Sequence, residues 1–348
     1  MTTASSVAPA MPSAIARLLL LPATESPTAD MAEAAIAAVL EDASEVDIAA
    51  LLTGLHHRPA TADLLAGAAR ALRSRAVRIT PASGDLLDTC GTGGTGLSTF
   101  NISTTTAIVA AACGVKVAKH GNRGATSKSG SADVLEALGV GLDVPPDRVA
   151  ACIDEVGIGF LYARALHPAM MAVAGVRGRL PFRTVFNQIG PLSNPAGATR
   201  QLLGSGSLAQ AQLLAGAAHQ LGTERTVVVC GDDRLDEVTL AGPTTYQDVT
   251  AEGIITGQWT PDDFGLAPVP LDALRVDTPA ASAALVRSIL AGKPSPQADI
   301  VLANAAVALW TVGRVDAVAD GVAMARNAIT SGEAAATLGK LAAFTTTP

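Results

Sequence analysis

The sequence predicts an α/β protein carrying a small all-helical domain, and three observations support this. Apolar residues recur at helical spacing through the first 80 residues. After Gly84, short apolar strands alternate with helices, the pattern of a largely parallel sheet. Two of those strands run into loops dense in glycine or in polar and basic side chains.

The 348 residues leave room for two or three domains at ~150 residues each. Hydrophobic residues make up 49% of the chain and aromatics only 3%, so Ala, Val, Leu and Ile must build the core. Residues 1–12 are small and polar, contain two prolines, and are expected to form a disordered leader. A helical domain over 13–82 follows, with amphipathic stretches at Ala29–Leu40, Glu45–Leu55 and Thr61–Arg75. Pro81-Ala82-Ser83-Gly84 joins it to the α/β part, expected over 85–167 and 199–348. There the strands Leu86–Cys90 and Val115–Ala118 alternate with the helices Thr104–Cys113 and Ser131–Leu138. A helix over Pro168–Leu180 and an irregular stretch, Asn187–Pro195, interrupt the alternation. The helix Leu208–Leu221 then precedes a buried strand at Arg225–Cys230, and helical stretches near 279–291, 297–312 and 315–344 close the chain.

The 24 basic residues against 31 acidic ones, a net charge of -7, argue against a nucleic-acid partner, because phosphate backbones are gripped through an excess of Lys and Arg. Ala14–Leu21, broken by Arg17, falls short of the ~20 residues of a membrane span, and no signal peptide is visible. Cys90, Cys113, Cys152 and Cys230 lie far apart in apolar stretches and read as reduced and buried. Together these features predict a cytoplasmic protein without a membrane segment.

The most informative stretch runs from Asp88 to Gly96, a strand entering a glycine-rich turn, with Asn101-Ile102-Ser103-Thr104 opening the next helix. Glycines let main-chain N–H groups converge on an anion at the positive end of that helix. Gly91, Gly93 and Gly96 also fit the dinucleotide pattern G-x-G-x-x-G, which calls for an acidic residue at the end of the next strand. Here that strand ends in Lys119-His120-Gly121-Asn122-Arg123, which suits phosphate instead. Thr126, Ser127 and Lys128 extend this second donor loop. After the Arg225–Cys230 strand, Gly231-Asp232-Asp233-Arg234-Leu235-Asp236-Glu237 delivers carboxylates to the same edge, the donors magnesium takes when it bridges to substrate phosphates.

In order and at similar spacing, Gly91-Thr92-Gly93-Gly94-Thr95-Gly96, Asn101–Thr104, Lys119–Arg123, His167-Pro168-Ala169-Met170, Val176-Arg177, Arg183–Asn187, Gly190–Pro195 and Asp236-Glu237 resemble the anthranilate phosphoribosyltransferase family over roughly residues 25–345. The resemblance implies a class III phosphoribosyltransferase architecture, related to that of nucleoside phosphorylases. The helical domain would be completed by about 168–198, and the protein would be a homodimer acting in tryptophan biosynthesis with its site at the hinge between domains. Phosphoribosyl pyrophosphate would be surrounded by Gly91, Gly94, Thr95 and Thr99, by Asn101, Ile102, Ser103 and Thr104, by Lys119, His120, Gly121, Asn122 and Arg123, and by Ser127 and Ser131. Ser103, Asp236 and Glu237 would hold Mg2+, and Gly91, Asn122, His167 and Arg177 would face anthranilate. No residue is required as a general base, since an aromatic amine is already a neutral nucleophile.

The chain departs from the family's usual pattern twice: Thr95 stands where Asp is usual, and Met171 where a basic residue is frequent. Two alternatives remain at this level. A nucleoside phosphorylase typically has a Lys-His-Ser-Thr-Gly-Gly loop where this chain has Thr89-Cys90-Gly91-Thr92-Gly93-Gly94. A non-catalytic nucleic-acid-binding relative would need a basic groove, against the charge balance.

Overall fold

Parallel strand pairing organises the chain, and the computed structural model describes residues 11–41, 43–93, 96–124 and 129–347. Seven strands form one sheet: β1 (Leu87–Gly91), β2 (Val117–Gly121), β3 (Ile158–Tyr162), β4 (Arg200–Gly204), β5 (Arg225–Gly231), β6 (Thr244–Thr250) and β7 (Gly253–Trp259). Their order is β3-β2-β1-β4-β5-β6-β7. The first five run parallel, and β6 is antiparallel to both β5 and β7. From β1 the chain builds outward through β2 and β3, then returns to the other side of β1 as β4. That reversal makes the carboxyl ends of β1 and β4 the topological switch point, where open α/β sheets form a ligand crevice.

Successive strand residues face opposite sides of a sheet, and the buried residues sort accordingly. Leu87, Val117, Phe160, Leu202, Val227 and Val229 join the larger core, with the helices Ile102–Ala112 and Pro296–Thr311. Leu203, Val228 and Cys230 enter a second core, with the helices Ala29–Glu41, Glu45–His56, Ala62–Arg73 and Leu208–Gln220. Leu86, Ala118 and Leu161 pack with Ile79 and Ile153 in a third, smaller cluster.

The helical layer also takes in the helices Ser13–Leu19, Met170–Arg179 and Phe186–Ile189, whose Val173, Val176, Phe186 and Ile189 lie in the second core. Local chemistry sets its boundaries. Ser44 and Asp47 form a reciprocal capping box at the start of Glu45–His56, and Thr61 accepts from Leu64 N at the start of Ala62–Arg73. Such caps are each worth about 1 kcal/mol.

The structure adds elements that periodicity did not reveal: β3, β4, the β6–β7 hairpin and the helix Pro146–Val156. β3 is buried at every position and so shows no alternation, and β4 offers only two apolar side chains, Leu202 and Leu203. In the hairpin, polar residues alternate with buried Thr244, Gln247 and Val249. The run expected over 315–344 is two helices, Val318–Thr330 and Glu333–Thr346, separated at Gly332, whose φ of 84° ends the first. Of the expected leader, residues 1–10 lie outside the described residues, and Met11 packs against the second core. No helix among the described residues is long and apolar enough to cross a membrane.

Candidate active site

The crevice is built around a close crossing. Gly91 on β1 and Gly204 on β4 are partners in register, and the segment carrying Asp236 passes directly over both. A β-carbon on Gly204 would stand 1.7 Å from the Asp236 carbonyl oxygen, and one on Gly91 would stand 2.9 Å from Asp236 Oδ2. Only glycine leaves room at either position.

A tight turn after β5 delivers the segment. Gly231 N donates to Leu235 O at 3.0 Å, and Arg234 adopts a left-handed φ of 68°. Leu235 and Val238 are fully buried on either side of the two carboxylates. Asn304, itself buried, accepts from Val238 N and donates to Val238 O, both at 2.9 Å. The strand-to-turn sequence thereby becomes two fixed acids: Asp236 Oδ2 accepts from Gly93 N at 2.9 Å, and Glu237 Oε1 accepts from Ser103 N at 3.2 Å. Burial raises the pKa of both, and for Glu237 the neighbouring Asp236 charge adds to it, bringing the group to about 8. Lys119 and the Ser103 hydroxyl and N–H oppose that rise.

β1 and β2 are in register only at Leu87 and Val117. Beyond that point side chains replace the ladder. Asp88 Oδ1 accepts from His120 N at 3.0 Å, and Lys119 Nζ donates to Thr89 O. Asn194 Nδ2 bridges Asp88 Oδ2 and Ala118 O, each at 2.8 Å. Asp88, Lys119 and Asn194 are all buried. Asp88, Cys90 and His120 also form the single close group of three potential metal ligands among the described residues. The Asp88 carboxylate is already engaged, and burial pushes the Cys90 thiol up to about 12, so this corner reads as a buttress.

The loop after β2 is closed at its base by Asp133, whose Oδ2 accepts from Gly124 N and Gly130 N at 3.0 Å. Arg123, expected on phosphate, is paired with Asp133 and Glu136 at 2.9 Å, and those hydrogen bonds raise its pKa. The Asn101 side chain is likewise committed: it accepts from Ser129 Oγ and Ser282 Oγ and donates to Ser129 O.

Two cavities open here. The first, about 350 Å³, is lined by Gly91, Gly93, Thr99, Asn101, Ile102, Ser103, Lys119, Gly121, Arg123, Ser131, Asp236 and Glu237, among others. The second, about 440 Å³, is lined by Leu72, Arg164, His167, Met170, Met171, Ala174, Arg177 and Phe186. His120, Asn122, Ala163 and Gly190 belong to both.

In the shared wall His120 Nε2 lies 3.2 Å from His167 Nε2. Burial pushes His120 down to about 3, with the neighbouring His167 adding to it, and pushes His167 down to about 4, so both rings are neutral near pH 7. Arg177 projects from the helix Met170–Arg179, with its guanidinium carbon 5.3 Å from the centroid of the Phe186 ring. Its Nε has no hydrogen-bond partner among the described residues, and burial lowers its pKa.

Most of the sequence-predicted residues therefore converge on one crevice. Gly94, Thr95 and Ser127, with Thr126 and Lys128, lie outside the described residues. Thr104 is buried and lines neither cavity, and Gly91, expected at both ligands, lines only the first. Sequence reasoning did not single out Arg183, which donates to the Thr92 and Gly93 carbonyls at 3.4 Å and so ties the mid-chain segment to the glycine turn. Its signal was present in the Arg183–Asn187 motif. It also missed Asp88 and Asn194, whose roles depend on how two strands diverge.

A family model described as glycosyl transferase family, a/b domain, matches residues 83–335, and one described as glycosyl transferase family, helical bundle domain, matches residues 13–76. The chain is 45% identical over 319 residues to an anthranilate phosphoribosyltransferase of Symbiobacterium thermophilum, covering 91% of this chain and 94% of that one. The crystal structure of anthranilate phosphoribosyltransferase from Thermus thermophilus superposes with a TM-score of 0.90 at 42% identity, covering 96% of this chain and 99% of that one. The Saccharomyces cerevisiae enzyme in complex with PRPP and Mg gives a TM-score of 0.87 at 28% identity, covering 96% and 98%. The same yeast enzyme has been solved in complex with 4-fluoroanthranilate (TM-score 0.79, 27% identity, 96% and 98% covered).

Proposed function

This chain belongs to the anthranilate phosphoribosyltransferase family, and we infer that it transfers the phosphoribosyl group of phosphoribosyl pyrophosphate to the amino group of anthranilate, releasing pyrophosphate, in tryptophan biosynthesis. The observation that carries this reading is the pair of cavities meeting at His120 and Asn122. One is lined by glycine turn, helix N-terminus and carboxylates, the other largely by apolar side chains around a half-buried guanidinium. The relatives at 42–49% identity displace the nucleoside phosphorylase alternative.

We assign the first cavity to the sugar donor. The helix Ile102–Ala112 points its N-terminus into it, and Lys119 adds a buried positive charge, an arrangement that favours phosphate. Gly91, Thr99, Ile102, Ser103, Gly121, Asn122 and Ser131 line the same cavity. The second cavity takes anthranilate, with Arg177 pairing the carboxylate through two nitrogens and His167 and Asn122 setting the ring. An orphaned Nε on a partly buried Arg supports an anionic partner.

The residues present fit magnesium. Asp236 and Glu237 place two half-buried carboxylates side by side in the donor cavity, desolvation raises the pKa of both, and hard oxygen donors of this kind suit Mg2+. Asp236, Glu237 and the Ser103 hydroxyl would hold it, and when bound it supplies positive charge against the departing pyrophosphate.

C1 of the ribose gains positive character as its bond to pyrophosphate breaks, the aromatic amine attacks with its own lone pair, and the surplus proton on nitrogen passes to the departing pyrophosphate or to water. The protein's work is therefore orientation: Arg177 fixes the acceptor's carboxylate, and the shared wall sets the approach to C1. The neutral His120–His167 pair adds no positive charge beside the developing cation. We further propose a homodimer acting in the cytoplasm. Leu20 and Val46, large apolar side chains 83% and 74% exposed on the helical layer, support the association.

The decisive experiment follows anthranilate fluorescence with phosphoribosyl pyrophosphate, with and without magnesium. Consumption that requires both supports the reading, and consumption of neither substrate overturns it.

A further inference from the structure

The acceptor cavity has a second cation. Arg164 sits in the short helix Ala163–Leu166 directly after β3, is exposed, and lines the same cavity as Arg177. Its guanidinium has no ion pair or hydrogen bond among the described residues. Arg70, Arg75, Arg123, Arg179, Arg200 and Arg225, by contrast, are each paired with a carboxylate. Met171, 65% exposed, lies on the same rim, and the described residues lining this cavity include no carboxylate. The protein as a whole carries a charge of -7. An anionic aromatic amine thus approaches against a repulsive field and reaches a cavity lined by one exposed, unpaired guanidinium and a second, half-buried one.

We propose that Arg164 is a specificity-determining capture residue, which draws the acceptor's carboxylate to the mouth of the cavity and releases it to Arg177. The proposal rests on the reading that this cavity takes anthranilate. An exposed cation contributes little to a static complex but can raise the rate of encounter with an oppositely charged ligand, and that contribution is removed by salt.

The test is steady-state kinetics for anthranilate at saturating phosphoribosyl pyrophosphate, in ~10 mM and ~1 M salt, where the screening length falls from about 30 Å to about 3 Å. The variants are R164A, R164K, R164E and M171K, with melting temperatures recorded alongside. R164A should lower kcat/KM about three- to tenfold at low salt and converge with wild type at high salt. R164K should keep most of the wild-type value, R164E should fall below R164A, and M171K should rise above wild type at low salt. An R164A enzyme equal to wild type at low salt, or equally impaired at both salt concentrations, overturns the proposal. A wild type that consumes no anthranilate at either salt overturns the acceptor reading, and this proposal with it. An active wild type matched by R164A overturns this proposal alone.

Discussion

Asn194 holds Asp88 in place from across the sheet: its Nδ2 lies 2.8 Å from Asp88 Oδ2, at the point where β1 and β2 stop pairing. The other carboxylate oxygen receives the N–H of His120, and Lys119 supplies a positive charge nearby. Asp88→Ala leaves the His120 N–H without its acceptor and removes the Asn194 hydrogen bond, all inside the sheet. Leaving a buried donor unsatisfied costs about 1–3 kcal/mol. Urea denaturation should show a loss in that range, and a loss below about 0.5 kcal/mol would mean that the strands are held apart by something else.

Gly204→Ala places a methyl group against the main chain of Asp236. Relief requires the carboxylate turn to move, and strain of this kind costs about 1–3 kcal/mol of stability. The larger effect should fall on magnesium, with the concentration giving half-maximal rate rising at least about tenfold. Asp236→Asn combined with Glu237→Gln should do the same without the strain. Titration of activity against magnesium separates the cases, and an unchanged midpoint in both would detach these acids from the metal.

Arg177→Ala removes the charged partner of the anthranilate carboxylate. A hydrogen bond to a charged group is worth ~1.5–3 kcal/mol, which converts to a roughly 10- to 150-fold rise in the anthranilate KM. The KM for the sugar donor should barely move, and Arg177→Lys should recover only part of the loss, because an ammonium lacks the planar fork. Equal kinetics for wild type and Ala variant would remove Arg177 from the acceptor site.

The histidine pair ties stability to acid. His120 and His167 have folded values of about 3 and about 4, below the ordinary ~6.5, so the unfolded chain takes up protons first as pH falls. Their contribution is intact above pH ~6.5 and declines as pH drops toward 4. Glu237, raised to about 8, works in the opposite sense, its contribution being lost as pH rises through that value. Comparison with a His120→Asn/His167→Asn double variant cancels Glu237. The stability advantage of wild type over that variant should shrink by a few kcal/mol between pH 7 and pH 4. A difference that stays constant with pH would show that the rings titrate normally.

Much of this site could be read from the chain itself because its parts are local. The glycine turn after β1, the donor loop after β2 and the acids after β5 each sit within a few residues of a strand end, where sequence grammar is strongest. Asp236-Glu237 was readable for that reason. The use of Arg123 was not, since its ion pairs with Asp133 and Glu136 depend on a loop folding back on the next helix. The pairing of Gly91 with Gly204 joins residues far apart in the chain, and only strand order brings them together. β3 escaped because it is buried on both faces and β4 because it carries only two apolar side chains, while the helical layer, with three amphipathic stretches in succession, was plain.

His120, Asn122, Ala163 and Gly190 face both cavities at once. Two ligands that share a wall form a thermodynamic cycle: any factor by which the sugar donor tightens its neighbour must be returned when anthranilate binds first. Substitutions in the wall therefore act on the coupling constant between the sites as well as on either affinity alone. Selection on anthranilate affinity through these four positions would carry the donor's affinity with it.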